Sequence, residues 1–155
     1  MQHILTLFNL FLHITHKLEP AMLLVVRFGV AYIFLSSGLT KVDDFLNNDF
    51  ASTKLLFQYE YAVPLLPPVL AAYLAMVAEI VCPILLIVGL ASRLVAVELL
   101  VMTAVIQSIY PNLQHAWWAI MIGVVLFVGP GQYSLDHRIA KKYKKDTSGD
   151  ATPAP

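Results

Sequence analysis

The sequence predicts an all-α integral membrane protein: a four-helix bundle with an amphipathic interfacial helix before it and a basic helix after it. Hydrophobic residues make up 59% of the 155 residues and charged residues 13%, whereas a soluble domain has about 45–50% and about 25%. The mean hydropathy of +0.73 agrees, and the apolar residues form runs near the roughly 20 residues that cross a bilayer. The length suits a single domain, residues 1–145, followed by a polar, disordered tail at 146–155.

The first predicted element is a helix that lies in the membrane interface over residues 1–18. Its apolar side chains recur at helical spacing on one face: Ile4, Leu7, Phe8, Phe11, Ile14 and Leu18. Polar side chains fall on the other face: Gln2, Thr6, Asn9, His13 and His16. This pattern is typical of helices that lie on a bilayer rather than cross it. Glu19 and Pro20 are then expected to turn the chain into the first span.

Four spanning helices follow in the prediction. Three apolar stretches have the necessary length, at about 21–40, 67–90 and 94–110, since a span takes roughly 20 residues. A fourth stretch, at about 113–128, is short but uncharged apart from His115. It could cross where the bilayer thins.

Lysine and arginine are distributed unevenly between the two ends of these spans. One end carries Lys17, Arg93, Arg138, Lys141, Lys142, Lys144 and Lys145. The opposite end, which includes the loop at 42–66, carries only Lys41 and Lys54 against several acidic residues. Because basic residues concentrate on the cytoplasmic side of a membrane, both termini are predicted to be cytoplasmic. The formal net charge of zero gives no sign of a nucleic-acid partner.

Four charged residues form a candidate buried polar site: Arg27, Lys41, Glu79 and Glu98. A lone charge near the bilayer centre costs at least about 2.5–3.5 kcal/mol, so such groups normally face the bundle and find partners. Arg27 and Glu79 are therefore expected to form a buried ion pair, while Glu98 can extend toward Arg93 or water. The alternatives are a site that contacts a proton, an ion or a quinone, or a protonated Glu79. Pro83 is expected to kink the helix beside Glu79.

Other polar residues carry weaker signals. Those that could line an outer mouth above the bundle are Asp43, Asp44, Tyr59, Glu60, Tyr61 and His115. Trp117 and Trp118 are expected to anchor the last span at the interface. Cys82 is the one cysteine, which excludes an intrachain disulfide or a CxxC redox pair. No metal site is predicted.

Four segments, in order along the chain, contain recognisable sequence motifs. The first two spans contain RFGVAYIFLSSGLTKVDDF and AEIVCPILLIVGLASRL. The external loop contains LFQYEYAVPLLPP, and the last span with its following turn contains IYPNLQHAWWAIMIGVVLFVGPGQYSLDH. From about Leu18 to His137 the chain resembles the DoxX family. The matching positions are Arg27, Gly38, Lys41, Glu79, Gly89 and Arg93.

The resemblance implies a four-helix bacterial inner-membrane protein. The family is named after a subunit of an archaeal thiosulfate:quinone oxidoreductase, and some bacterial members are encoded near redox-stress or copper-handling proteins. The first hypothesis is a membrane subunit or anchor, not itself an enzyme, of a redox or metal-stress system. It would sit in the bilayer with a protein partner or as a homo-oligomer. The alternatives are a quinone-linked oxidoreductase subunit, for which quinone is the one cofactor to expect, and a small transporter that uses the Arg/Glu site.

Overall fold

The computed structural model describes residues 2–61, 63 and 65–149, and every regular element in them is helical, which confirms the all-α class. Six helices follow along this part of the chain: α1 (Gln2–Asn47), α2 (Ala51–Leu56), α3 (Pro68–Val88), α4 (Ser92–Ile109), α5 (Leu113–Phe127) and α6 (Leu135–Gly149). A π-helical turn at Phe57–Tyr61 follows α2. Three of these helices, α1, α3 and α4, are long and apolar enough to cross a membrane, and α5 is shorter at 15 residues.

The first helix contradicts the turn predicted at Glu19 and Pro20. α1 runs without interruption for 46 residues, with Pro20 inside it. Proline removes the hydrogen bond that an N–H would give to the carbonyl of His16, and the helix-forming residues on both sides continue the helical backbone. At about 1.5 Å per residue α1 is about 69 Å long, against a hydrocarbon core of about 30 Å. Residues 3–18 are exposed, and their place in the membrane interface stays a prediction.

α1, α3, α4 and α5 form a bundle in which each helix packs chiefly against two neighbours. α1 contacts α3 and α5, α4 contacts α5, and the contact between α3 and α4 is the least extensive of the four. The core that they bury consists of Val30, Phe34, Leu86, Val95, Ala96, Leu99, Ile122 and Val125. In a membrane such a core is held by close packing rather than by exclusion of water.

The described residues of the segment at 42–66 fold back over one end of the bundle, which is called the loop end below. The carboxylate of Asp44 accepts hydrogen bonds from the N–H and the hydroxyl of Thr53, at 2.8 and 2.7 Å, and so ties α1 to α2. The ring of Phe50 is fully buried and packs on Tyr73, with 4.7 Å between ring centroids. These contacts hold the π-helical turn against the bundle.

The opposite end, called the basic end because α6 carries its lysines there, is closed by two polar side chains. The hydroxyl of Ser134 accepts a hydrogen bond from the N–H of His137 at 3.1 Å, which makes Ser134 the N-cap of α6. The carboxylate of Asp136 accepts from the N–H groups of Ala91 and Ser92, both at 2.8 Å. Because a helix N-terminus favours a negative charge, Asp136 stabilises α4 as well as α6.

The predicted disordered tail, residues 146–155, falls only partly on the described chain. α6 continues to Gly149, so the first residues of that segment are helical. Residues 150–155, on which the rest of this prediction falls, lie outside the described residues.

Candidate functional site

A lysine–glutamate ion pair joins α1 and α3 inside the bundle. The Nζ of Lys41 donates to Oε2 of Glu79 at 2.6 Å and to Oγ of Ser37 at 3.0 Å. The two charged side chains keep only 11% and 10% of their surface exposed. Two charges withdrawn from water are costly unless they pair and form hydrogen bonds. Lys41 supplies both the opposite charge and the hydrogen bond that the buried carboxylate of Glu79 needs.

The pair forms beside a close backbone contact between α1 and α3. A Cβ placed on Gly38 would lie 2.8 Å from the backbone carbonyl oxygen of Glu79, so only a glycine fits there without a shift. Pro83, four residues after Glu79, has no N–H to donate to that carbonyl. The two backbones therefore touch at this point, and Lys41, about one turn beyond Gly38, comes level with the Glu79 carboxylate.

The predicted ion pair between Arg27 and Glu79 is wrong. Gly38 marks the level of Glu79 on α1, and Arg27 lies eleven residues before Gly38. At about 1.5 Å per residue this places the backbone of Arg27 about 16 Å from the level of Glu79 along the helix axis. The side chain of Arg27 is too short to cover that distance.

Arg27 instead binds three backbone carbonyls at the basic end. Its Nε donates to Leu86 at 2.9 Å, its Nη2 to Ile87 at 2.5 Å and its Nη1 to Pro130 at 2.9 Å. Leu86 and Ile87 belong to the last turn of α3, where a helix has few N–H groups left to give to its carbonyls; the N–H of Gly89 also reaches Leu86, at 3.2 Å. Arg27 is 1% exposed, and it fastens α1 to the end of α3 and to the linker between α5 and α6.

A cavity of about 370 Å³ lies between the bundle helices and the π-helical turn. Its apolar wall includes Ile33, Phe34, Met102, Val105 and Trp118. Its polar wall residues are Ser37, Lys41, Tyr61, Glu79, Glu98 and His115. Small-molecule sites are usually of this size, mostly apolar, with a few convergent polar groups. Three of the four charged residues predicted for a buried site therefore share one cavity, and Arg27 does not.

His115 is buried in the cavity wall with a fixed tautomer. Its Nδ1 lies 2.9 Å from Oε1 of Gln107, and the N–H of Asn112 donates to the same oxygen at 3.0 Å. Because that N–H requires an acceptor, the Gln107 atom is the oxygen, and the histidine nitrogen that faces it carries the proton. The Nε2 atom of neutral His115 is then the one that can accept a hydrogen bond from a ligand.

The π-helical turn covers the loop end of the cavity. Phe57 is buried, Tyr61 is half-buried, and both line the cavity. Burial, with the nearby carboxylates of Glu79 and Glu60, raises the pKa of Tyr61. Its hydroxyl is therefore protonated at neutral pH and can donate. Tyr59 and Glu60, the other residues predicted for an outer mouth on this turn, are exposed and lie outside the cavity wall.

Glu98 reaches the same cavity from α4, and its side chain is exposed. In the part of the chain that the structure describes, Glu98 forms no salt bridge with Arg93. Within the same described residues, no group of three or more His, Cys, Asp or Glu side chains is placed to hold a metal ion. Cys82 is half-buried and packs against the core.

Two residues of the site were not predicted from the sequence. Gln107 orients His115, and its only signal is a polar side chain eight residues before the histidine, near the end of an apolar run. Trp118, predicted as an interfacial anchor, lines the cavity and meets Phe34 edge-on, with ring centroids 6.0 Å apart. The neighbouring Trp117 is 61% exposed, which suits an anchor.

Fold and site together define a helical membrane protein that holds an ion pair in the wall of an internal cavity. The DoxX family matches residues 22–112. The chain is also 30% identical over 136 residues to "Inner membrane protein YphA" of Escherichia coli (strain K12), a match that covers 77% of this chain and 91% of that protein. The chain belongs to the DoxX family and is an inner membrane protein. No solved structure matches it.

Proposed function

We propose that the chain crosses the inner membrane four times, through α1, α3, α4 and α5, with both termini in the cytoplasm. The 15 residues of α5 contain no Asp, Glu, Lys or Arg. They reach about 22 Å, a shortfall that a bilayer accommodates by thinning locally. Lysine and arginine gather at the basic end, which supports a cytoplasmic position for that end.

Reporter fusions test this topology. A fusion after Lys145 is expected to report the cytoplasm, and one placed within residues 46–56 is expected to report the periplasm, because the two positions lie at opposite ends of the bundle. Paired alkaline phosphatase and fluorescent protein fusions measure both compartments. Reports from the same compartment at both positions would contradict the four-span arrangement.

We propose further that the chain is the quinone-binding membrane subunit of a redox assembly. The observation that carries this proposal is the Lys41–Glu79 ion pair in the wall of an otherwise mostly apolar cavity. A buried ion pair adds little stability relative to apolar residues of the same size. The pair is therefore better explained by a ligand than by an anchoring role alone. Because its charges sum to zero, it suits a neutral ligand.

The polar groups of the cavity match both redox forms of a quinone. The ammonium of Lys41 and the hydroxyl of Tyr61 can donate to the carbonyl oxygens of the oxidised form. The carboxylate of Glu79 and the Nε2 of His115 can accept from the hydroxyls of the reduced form. A site with both donors and acceptors can bind the ligand when its oxygens are carbonyls, which accept hydrogen bonds, and when they are hydroxyls, which donate them. The protein partner of the assembly would exchange the electrons.

Fluorescence of Trp118 tests quinone binding. In a Trp117→Phe variant Trp118 is the one remaining tryptophan, and a quinone in the cavity would quench it on contact. Titration with decylubiquinone is expected to give saturable quenching. The Lys41→Met/Glu79→Gln double change is expected to weaken binding by at least about tenfold, because a hydrogen bond to a charged group contributes about 1.5–3 kcal/mol.

A matched control for this titration is Lys54→Met, since Lys54 lies on α2 outside the cavity wall. It is expected to bind decylubiquinone like the parent. Quenching that rises linearly without saturation, or equal affinity in the parent and the double variant, would contradict a quinone site at Lys41 and Glu79.

A further inference from the structure

The cavity wall is accessible mainly on one side of the bundle. The exposed residues in that wall are Ser37, Leu66, Leu74, Glu98 and Val101. Leu74 on α3 is 50% exposed and Val101 on α4 is 53% exposed, although both line an internal space. The walls on α1 and α5 include side chains that are almost fully covered, such as Phe34 and His115. The opening therefore lies between α3 and α4.

The side chains at this opening explain why α3 and α4 do not close against each other. On α3, the residues that line the cavity are mostly alanines, including Ala75 and Ala78, which carry no atoms beyond Cβ to fill the space. On α4, the facing wall holds Glu98 and Val101. A carboxylate costs free energy in hydrocarbon, and the side chain of Glu98 stays exposed at the cavity rather than buried between the helices. The α3–α4 contact is the least extensive of the four contacts between neighbouring helices of the bundle.

We propose that this gap is a lateral entrance from the bilayer, through which a membrane-dissolved amphiphile reaches the cavity. This inference rests on the proposed function and specifies its ligand: a molecule with a neutral polar head and an apolar tail. The head lies at Lys41 and Glu79, and the tail leaves between α3 and α4 into the lipid. Glu98, about 9 Å from the start of α4 at about 1.5 Å per residue, offers the head a hydrogen-bond acceptor as it passes.

The association and dissociation rate constants of a ligand distinguish a residue at an entrance from a residue that contacts the bound ligand. In nanodiscs, with Trp117→Phe as parent, stopped-flow quenching of Trp118 by decylubiquinone gives both rate constants. Ala75→Phe narrows the gap and is expected to slow association and dissociation alike, each by at least about tenfold, with the dissociation constant changed less than about threefold. The matched control is Val77→Phe, because Val77 is 53% exposed on α3 and lies outside the cavity wall. It should leave both rates unchanged.

A reversible crosslink between α3 and α4 tests the entrance without relying on correct folding of the Ala75→Phe variant. Ala75→Cys and Val101→Cys, in a Cys82→Ser background, place one thiol on each side of the gap. A short, reducible bifunctional thiol reagent then bridges α3 and α4 in protein that is already folded. Bridging is expected to slow association and dissociation by about as much as Ala75→Phe does, and reduction of the bridge should restore both rates.

Each result has a separate meaning for the two proposals. Unchanged rates after bridging, or a faster dissociation in Ala75→Phe, would overturn the lateral entrance while quinone binding stands. An absence of saturable quenching in the parent would overturn the proposed function and the entrance with it.

Discussion

Glu79→Gln is expected to lower the free energy of unfolding by about 3–5 kcal/mol, the usual cost of removing one partner from a buried ion pair. Lys41→Met is expected to have a similar effect, because it leaves the Glu79 carboxylate with no cation at 2.6 Å. The double variant should recover most of the loss, since no uncompensated charge then remains. Unfolding in detergent micelles, followed by the loss of helical circular dichroism, gives the four stabilities of the mutant cycle.

The same cycle with Arg27 serves as the control. Arg27 lies about 16 Å from Glu79 along α1, and its three hydrogen bonds end on other residues. Arg27→Met and Glu79→Gln should therefore add within about 0.5 kcal/mol, as distant sites do. Coupling of Glu79 to Arg27 rather than to Lys41 would show that α1 and α3 pack in another register.

The Lys41→Met/Glu79→Gln double variant also shows whether the ion pair serves protein stability or ligand binding. If the double variant is as stable as the parent and binds decylubiquinone more weakly, the two charges serve the ligand and not the fold. A double variant that is unstable would instead give the ion pair a structural role, as in a membrane anchor. The comparison therefore also decides between the two leading hypotheses drawn from the sequence.

Composition and apolar run length were enough to predict the helices. α3, α4 and α5 begin and end within a few residues of the predicted stretches, because length in the bilayer and flanking polar residues define them. The continuous α1 was not predictable in this way. A proline disfavours a helix interior, but helices of membrane proteins tolerate it where the surrounding structure satisfies the freed backbone groups, and the sequence does not show which case applies.

The partner of Glu79 could not be predicted because it depends on how far α1 slides along α3. The sequence places Glu79 in an apolar run and both Arg27 and Lys41 on the first helix, and either cation could meet it in some register. The contact of Gly38 with the Glu79 carbonyl sets that register. The sequence alone does not show which residue a glycine in an apolar helix will contact. The cavity has the same origin, since it depends on several helices and the π-helical turn at once.

The roles of Arg27 and His115 were hidden for a further reason. Arg27 binds backbone carbonyls, and every residue has one, so no side chain in the sequence marks its partners. His115 is oriented by Gln107 across the turn between α4 and α5, and that pairing needs the turn geometry set by Asn112. Charge alone can name Arg27 and Lys41 as the candidate side-chain partners of Glu79, whereas the contacts of Arg27 and His115 require the folded backbone.

Arg27→Met is expected to lower the free energy of unfolding by about 4.5 kcal/mol or more, since hydrogen bonds to a charged group contribute about 1.5–3 kcal/mol each and three are lost. Arg27→Lys should recover only part of this, because an ammonium cannot reproduce the planar fork that reaches three carbonyls. Thermal unfolding in detergent measures both. Arg93→Met is the matched control, because Arg93 is an exposed arginine at the same basic end.

The loss should also be local. With Arg27 removed, the carbonyls of Leu86, Ile87 and Pro130 lose the hydrogen bonds that join them to α1, so the end of α3 and the linker before α6 are expected to separate from α1 first. Amide hydrogen exchange should accelerate at Asp136, whose N–H donates to the carbonyl of Gly89 across this junction at 2.9 Å. It should change little near Lys41. Equal stability of Arg27→Met and Arg93→Met, or exchange that accelerates evenly along the bundle, would show that Arg27 does not fasten the basic end.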